Sequence, residues 1–144
     1  MGVILEIVVN LFNLHVNPSV LYRYNDRWMV PGIARDMIRV PGFKRDSRVE
    51  QVIIGSNDYE SVYWYARHII KGRWVIGEQC LSCSAQFSYL YAKHVLGGRF
   101  ELGEGVIAQD CQYSYLYARK VLKGRFELGE PAIMVDRQMY IPIQ

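Results

Sequence analysis

Tyr65-Ala66-Arg67, Tyr91-Ala92-Lys93 and Tyr117-Ala118-Arg119 open one phrase that is written three times, each copy 26 residues after the one before. Each opening leads to an aliphatic pair and then to Gly72-Arg73-Trp74, Gly98-Arg99-Phe100 or Gly124-Arg125-Phe126. Gly-Glu and an aliphatic residue follow. No other feature constrains the fold as much. A fixed period of this length builds small supersecondary units, none of which buries its apolar face without a neighbour. The expectation is a mainly α protein, a short α-solenoid of stacked helix–turn–helix repeats.

The third copy, Asp110 to Val135, shows how a unit should fold. Asp110 can cap a helix starting at Cys111, its carboxylate accepting free amides of the first turn. At helical spacing Tyr113, Tyr115, Tyr117, Ala118, Val121 and Leu122 share an arc of roughly 200°. Arg119, Lys120 and Lys123 lie opposite. Gly124 is placed where a helix ends in the left-handed conformation. Pro131 belongs in a first turn, so a short second helix should start near Glu127 to Glu130 and carry Ile133 inward. Ala66, Ala92 and Ala118 hold one position in every copy, where close helix approach requires a small side chain.

The copies occupy residues 56–133. Before them, 33–55 reads as a degenerate capping repeat, in which Ala34-Arg35-Asp36-Met37-Ile38 mirrors Ala66-Arg67-His68-Ile69-Ile70. Phe43 and Glu50-Gln51-Val52-Ile53 then trail as Trp74 and Glu78-Gln79-Cys80-Leu81 do. Residues 134–144 begin a further copy and stop, with Pro142 against continuation, and read as a truncated C-terminal cap. Residues 1–32 form a non-repeat N-terminal segment. Val3-Ile4-Leu5 and Ile7-Val8-Val9 suit a strand, whereas Leu5, Val8, Val9 and Phe12 suit a helix, and both readings stand.

The phrase Tyr-Ala-Arg-x-Val-Leu-x-Gly-Arg-Phe/Trp-x-x-Gly-Glu-x-x-Ile resembles short tandem repeats in uncharacterised proteins of bacteriophages and large DNA viruses. The resemblance covers 56–133 well and 33–55 loosely. That family has no established activity, so the resemblance implies a viral provenance and not a mechanism.

Composition sets the remaining bounds. With 51% hydrophobic and 22% charged residues, the 144-residue chain reads as a folded domain with a sizeable core. A net charge of +3 is too mild to announce a nucleic-acid binder. No Lys or Arg precedes the apolar run Val3–Val9, which is also too short to span a bilayer. Glu6 stands where myristoylation requires Ser or Thr. Three Cys, an odd number, point to a reducing compartment. The expected location is cytoplasmic, in the host cell if the chain is viral, with no membrane contact.

Sites of chemistry weigh little against the repeat. Cys80-x-x-Cys83, with His94 and Cys111, has the residue types of a zinc site. In the other copies Cys80 corresponds to Val106 and Ala132, Cys83 to Gln109 and Cys111 to Ala85, which favours small fillers. Arg73/Glu78, Arg99/Glu104 and Arg125/Glu130 recur with the period, unlike a catalytic pair. They read as a ladder between hairpins or as helix caps. His15, His68 and His94 adjoin no nucleophile motif, and the Lys71-Gly72-Arg73 and Gly97-Gly98-Arg99 points lack phosphate-loop spacing. No enzyme, metal or cofactor is expected.

One constellation points outward. Trp64, Leu90 and Leu116 lie about 60° from Arg67, Lys93 and Arg119. Stacking would line them up as an apolar row rimmed by Arg67, Lys71, Lys93, Arg119 and Lys123. That composition suits a partner-binding surface, and it equally suits packing against a neighbouring helix. The first functional expectation is a non-enzymatic interaction protein that binds and inhibits a host protein, in the manner of anti-defence or anti-CRISPR proteins. The second is an RNA- or DNA-binding helical repeat with Tyr and Arg tracking a backbone. The third is a virion or scaffold component that self-associates through open ends.

Overall fold

A computed structural model describes residues 30–136, and over that span the chain is mainly helical, with no strand among the described residues. The helices are α1 (Val30–Ile38), α2 (Ser47–Gly55), α3 (Tyr59–Tyr65), α4 (Val75–Leu81), α5 (Ala85–Tyr91), α6 (Glu101–Ile107), α7 (Cys111–Leu116) and α8 (Glu130–Val135). Three of them run on into π-helical turns: π1 (Ala66–Ile70) after α3, π2 (Ala92–Leu96) after α5 and π3 (Tyr117–Leu122) after α7. The strand-or-helix question in the N-terminal segment, His15 and the tail from 137 lie outside the described residues. Helix α1 starts at Val30, ahead of the expected boundary at 33, with Pro31 in its first turn.

Each copy starts at its cap. The side chains of Asp58, Ser84 and Asp110 accept the backbone N–H of Ser61, Phe87 and Tyr113. Helices α3, α5 and α7 follow, and each closes through its π-turn. The carbonyls of Ala66, Ala92 and Ala118 each accept two N–H groups, from residues five and six further on. That wide turn closes on a residue in the left-handed conformation. The position falls on Lys71 (φ 57°), Gly97 (φ 63°) and Lys123 (φ 52°), one residue earlier than the expected Gly124.

The second helix of each unit starts after the aromatic residue, at Val75 and Glu101. In the third unit it is delayed to Glu130. Pro131 has no N–H to donate back to Glu127, so residues 127–129 form turns and the proline sits in the first turn. Ile133 is half-buried, at the edge of the packed side.

Like elements touch like elements. α3 packs on α5 and α5 on α7, α4 packs on α6, and π1, π2 and π3 touch in succession. Ala66 and Ala92 are fully buried at these contacts, as close approach demands. Within the second unit α5 and α6 meet at Ser88 and Gly103. A Cβ on Gly103 would lie 2.6 Å from Ser88 Oγ and 2.5 Å from the Phe100 ring, so only glycine fits. Ser88 Oγ donates back to the Leu81 carbonyl of the preceding unit, and Ser114 repeats the bond to Ile107.

Aromatic rings fill the core. Tyr65, Tyr91 and Tyr117 are fully buried and pack on Trp74, Phe100 and Phe126 of their own units, with ring centroids 5.0–5.1 Å apart. Burying each such ring contributes about 1.5–3 kcal/mol, and ring geometry adds about 0.5–1.5 kcal/mol. Tyr63–Phe87 and Tyr89–Tyr113 form a second set, this time across unit boundaries.

Candidate functional site

The repeated Arg, Glu and Tyr converge on one arrangement, a clamp between units. Arg99 pairs with Glu104 of its own unit, Nε to Oε1 at 2.6 Å and Nη2 to Oε2 at 3.0 Å. Tyr117, from the following unit, donates its hydroxyl to Glu104 Oε1 at 2.8 Å and accepts the Phe100 N–H at 2.9 Å. Tyr91 does the same with Glu78 and the Trp74 N–H. The ion pair thus lies within a unit, not between hairpins as a ladder would, and the link across the boundary is the phenol.

The segment before the three copies carries the same clamp. Arg45 pairs with Glu50, and Tyr65 donates to Glu50 and accepts the N–H of Asp46. Asp46, not Phe43, therefore stands where Trp74 does. Phe43 is half-buried against the core.

The clamp's electrostatics follow from its burial. Burial raises the Tyr91 hydroxyl to about 12 and pushes Tyr65 and Tyr117 up as well, with Glu78, Glu50 and Glu104 adding to the effect. Burial also opposes ionisation of Glu104, but the hydrogen bonds from Arg99 and Tyr117 and the Arg99 charge outweigh it and hold the carboxyl below its usual range. At the Tyr117 clamp the neutral phenol and the ionised Glu104 carboxylate are thus the favoured forms, as a structural lock needs. Glu130, with no following Tyr hydroxyl among the described residues, is 34% exposed where the Glu104 side chain is 6% exposed.

The residues expected to form a partner surface fall into two kinds. Trp64, Leu90 and Leu116 are half-buried and pack against the core. Trp64 stacks on His68 at 4.6 Å, with the Arg39 guanidinium 5.8 Å from its ring. Arg67, Lys71, Lys93, Arg119 and Lys123 are exposed, on or just after the π-turns. Arg67 donates to the Tyr63 hydroxyl and Arg119 to that of Tyr115, while Lys93 Nζ lies 5.8 Å from the Tyr89 ring.

A different apolar row is the more open one. Val75, Ile76, Leu102, Leu128, Met134 and Val135 are the large hydrophobic side chains exposed among the described residues, and all except Leu128, which precedes α8 by two residues, lie on second helices. Ile76, Leu102 and Leu128 share one register position, at 64%, 56% and 61% exposure. Grooves separate successive units beside them. One of about 640 Å³ is lined by Arg73, Arg99, Phe100, Glu101 and Leu102, and one of about 340 Å³ by Arg99, Arg125, Phe126, Glu127 and Leu128. Sequence reasoning missed this row because aliphatic residues between an aromatic and Gly-Glu look like core. The available signal was helical phase. Ile76 and Leu102 lie about 200° around the helix from the buried Glu78 and Glu104, on the face turned away from the clamp.

Of the three cysteines one fills the core. Cys80 is buried in the core, Cys83 is exposed with its thiol on the Gln79 carbonyl, and Cys111 is half-buried. Among the described residues no three His, Cys, Asp or Glu converge as a metal site requires. No helix among them is long and apolar enough to cross a membrane. Comparison with protein-family models, curated proteins and solved structures gives no match.

Proposed function

We propose that this chain is a short α-solenoid that acts as a non-catalytic interaction protein, holding a segment of a partner protein along its second-helix face. The observation that carries the reading is the in-register row Ile76, Leu102 and Leu128, exposed beside grooves that recur at unit boundaries. Contiguous exposed apolar side chains framed by polar ones mark protein contacts. The partner's chemistry follows from the frame. Arg99 and Arg125 are each held by their own Glu, while the exposed Glu101 and Glu127 have no ion-pair partner among the described residues. A segment with apolar side chains and basic neighbours fits that face best. Combined with the resemblance to viral repeats, the proposal extends to a host protein bound and inhibited in a cytoplasmic setting.

The test is affinity capture from host lysate with nuclease present, comparing the parent chain with Leu102→Asp/Leu128→Asp. A stoichiometric protein partner retained by the parent and lost by the variant supports the reading, provided the variant melts as the parent does. Capture that is indifferent to both substitutions sinks it.

A further inference from the structure

The modest net charge of +3 conceals a sharp segregation. Segments 66–71, 92–97 and 117–123, the three π-turns and their left-handed caps, hold Arg67, His68, Lys71, Lys93, His94, Arg119, Lys120 and Lys123 and not one Asp or Glu. All eight side chains are exposed. The turns touch in succession, so the cations form one continuous row. The described carboxylates lie outside these segments, on caps, clamps and second helices and at Asp36 of α1 and Glu60 of α3, and none makes an ion pair with these Lys or Arg.

We propose that this row is a second binding site, separate from the apolar face, and that it takes the phosphodiester backbone of single-stranded nucleic acid. Three features select that ligand. One position is cationic in every unit, as Arg67, Lys93 and Arg119, which matches a ligand charged at every residue better than the scattered carboxylates of an acidic protein. The row follows one line of touching helix ends, about 8–10 Å from axis to axis, so it tracks one strand and does not straddle a duplex groove. Arg67 and Arg119 are steered by tyrosine hydroxyls and not by carboxylates, at 2.9 and 2.7 Å, which orients each guanidinium without an ion pair. Beside the row, half-buried Trp64, Leu90 and Leu116 give bases an apolar edge to rest on.

The local field agrees. His68 is pushed down by burial and then by the Arg67 and Lys71 charges, and His94 by burial, by Arg67 of the preceding unit and by Lys93. Arg67 is thus felt across a unit boundary, as a shared binding row requires.

The experiment is fluorescence anisotropy with labelled single strands of about 20 nucleotides, RNA and DNA, as salt rises from about 50 to 200 mM. Six engaged Lys and Arg give a slope of log K against log salt of roughly −4. The variant Arg67→Gln/Lys93→Gln/Arg119→Gln should flatten that slope by about 2 and lose affinity at least tenfold, with an unchanged melting curve. Gln109→Ala, an exposed and uncharged position outside both proposed sites, should bind as the parent does. Tighter binding of RNA than DNA would add a 2′-hydroxyl contact, and equal binding would confine recognition to phosphate; both support the site. No binding at low salt overturns it, as does a triple variant that binds like the parent. Equal binding of poly-glutamate of matched length would overturn the nucleic-acid assignment.

Discussion

At the scale of single residues the structure offers its own controls. The left-handed cap is Gly97 in one copy and lysine in the other two, at Lys71 and Lys123. A side chain there costs about 1–2 kcal/mol in the folded state, partly offset by glycine's extra freedom when unfolded. Lys71→Gly and Lys123→Gly should each stabilise by about 0.5–1 kcal/mol, and Gly97→Ala should destabilise by about 1 kcal/mol, read as shifts in urea midpoint. The clamp predicts a loss instead. Tyr117→Phe leaves Glu104 and the Phe100 N–H short of a buried partner, which costs about 1–3 kcal/mol. The same phenols set the alkaline limit. Their raised folded values mean that their contribution is fully present below the ordinary tyrosine value near 10. It is lost as pH climbs through about 12, the Tyr91 value. The urea midpoint should therefore fall between pH 10 and 12, and less steeply in Tyr91→Phe. The cap at Asp110 was legible from the sequence because capping is local. The tyrosine's partner was not, since Glu78 lies 13 residues before Tyr91 and across a boundary.

Among the elements, the π-turns are the departure that periodicity hides. A helix read at 3.6 residues per turn places its end at Gly124. The helix instead closes with a wider turn whose left-handed cap is Lys123, and hydrophobic pattern does not distinguish the two. The second helices show the opposite case, where a residue type states the packing. Gly103 and Gly105 share α6, yet a Cβ on Gly105 meets open space while one on Gly103 collides with Phe100 and Ser88. Gly103→Ala should cost about 1–3 kcal/mol through overpacking, and Gly105→Ala should gain about 0.5–1 kcal/mol from helix propensity. Paired thermal melts decide it; equal shifts would mean that α5 and α6 do not approach as described.

For the whole molecule, the clamp fixes which rearrangements the chain survives. Removing Ser84–Gln109 joins Cys83 to Asp110, gives Asp110 the capping place of Ser84 and brings Tyr117 to Glu78 and the Trp74 N–H. That shortened chain should keep a cooperative helical melt by circular dichroism. Removing Ser84–Ala108 instead puts each following side chain about 100° out of phase and should abolish it. Mainly helical architecture was readable from the periodic pattern. The open apolar face was not, because which aliphatic residues face outward depends on where the second helices start, and Gly77, Gly103 and the aromatic residue before each decide that. The link between each tyrosine and the carboxylate behind it also bears on heredity. It works as a reading frame written in protein: lengthening or shortening by whole units leaves every phenol in phase with its carboxylate, whereas a slip of one codon uncouples everything downstream. The leading segment, with Arg45, Glu50 and the N–H of Asp46 still meeting Tyr65 although the phrase around them has drifted, shows how little of a copy must survive for the frame to hold.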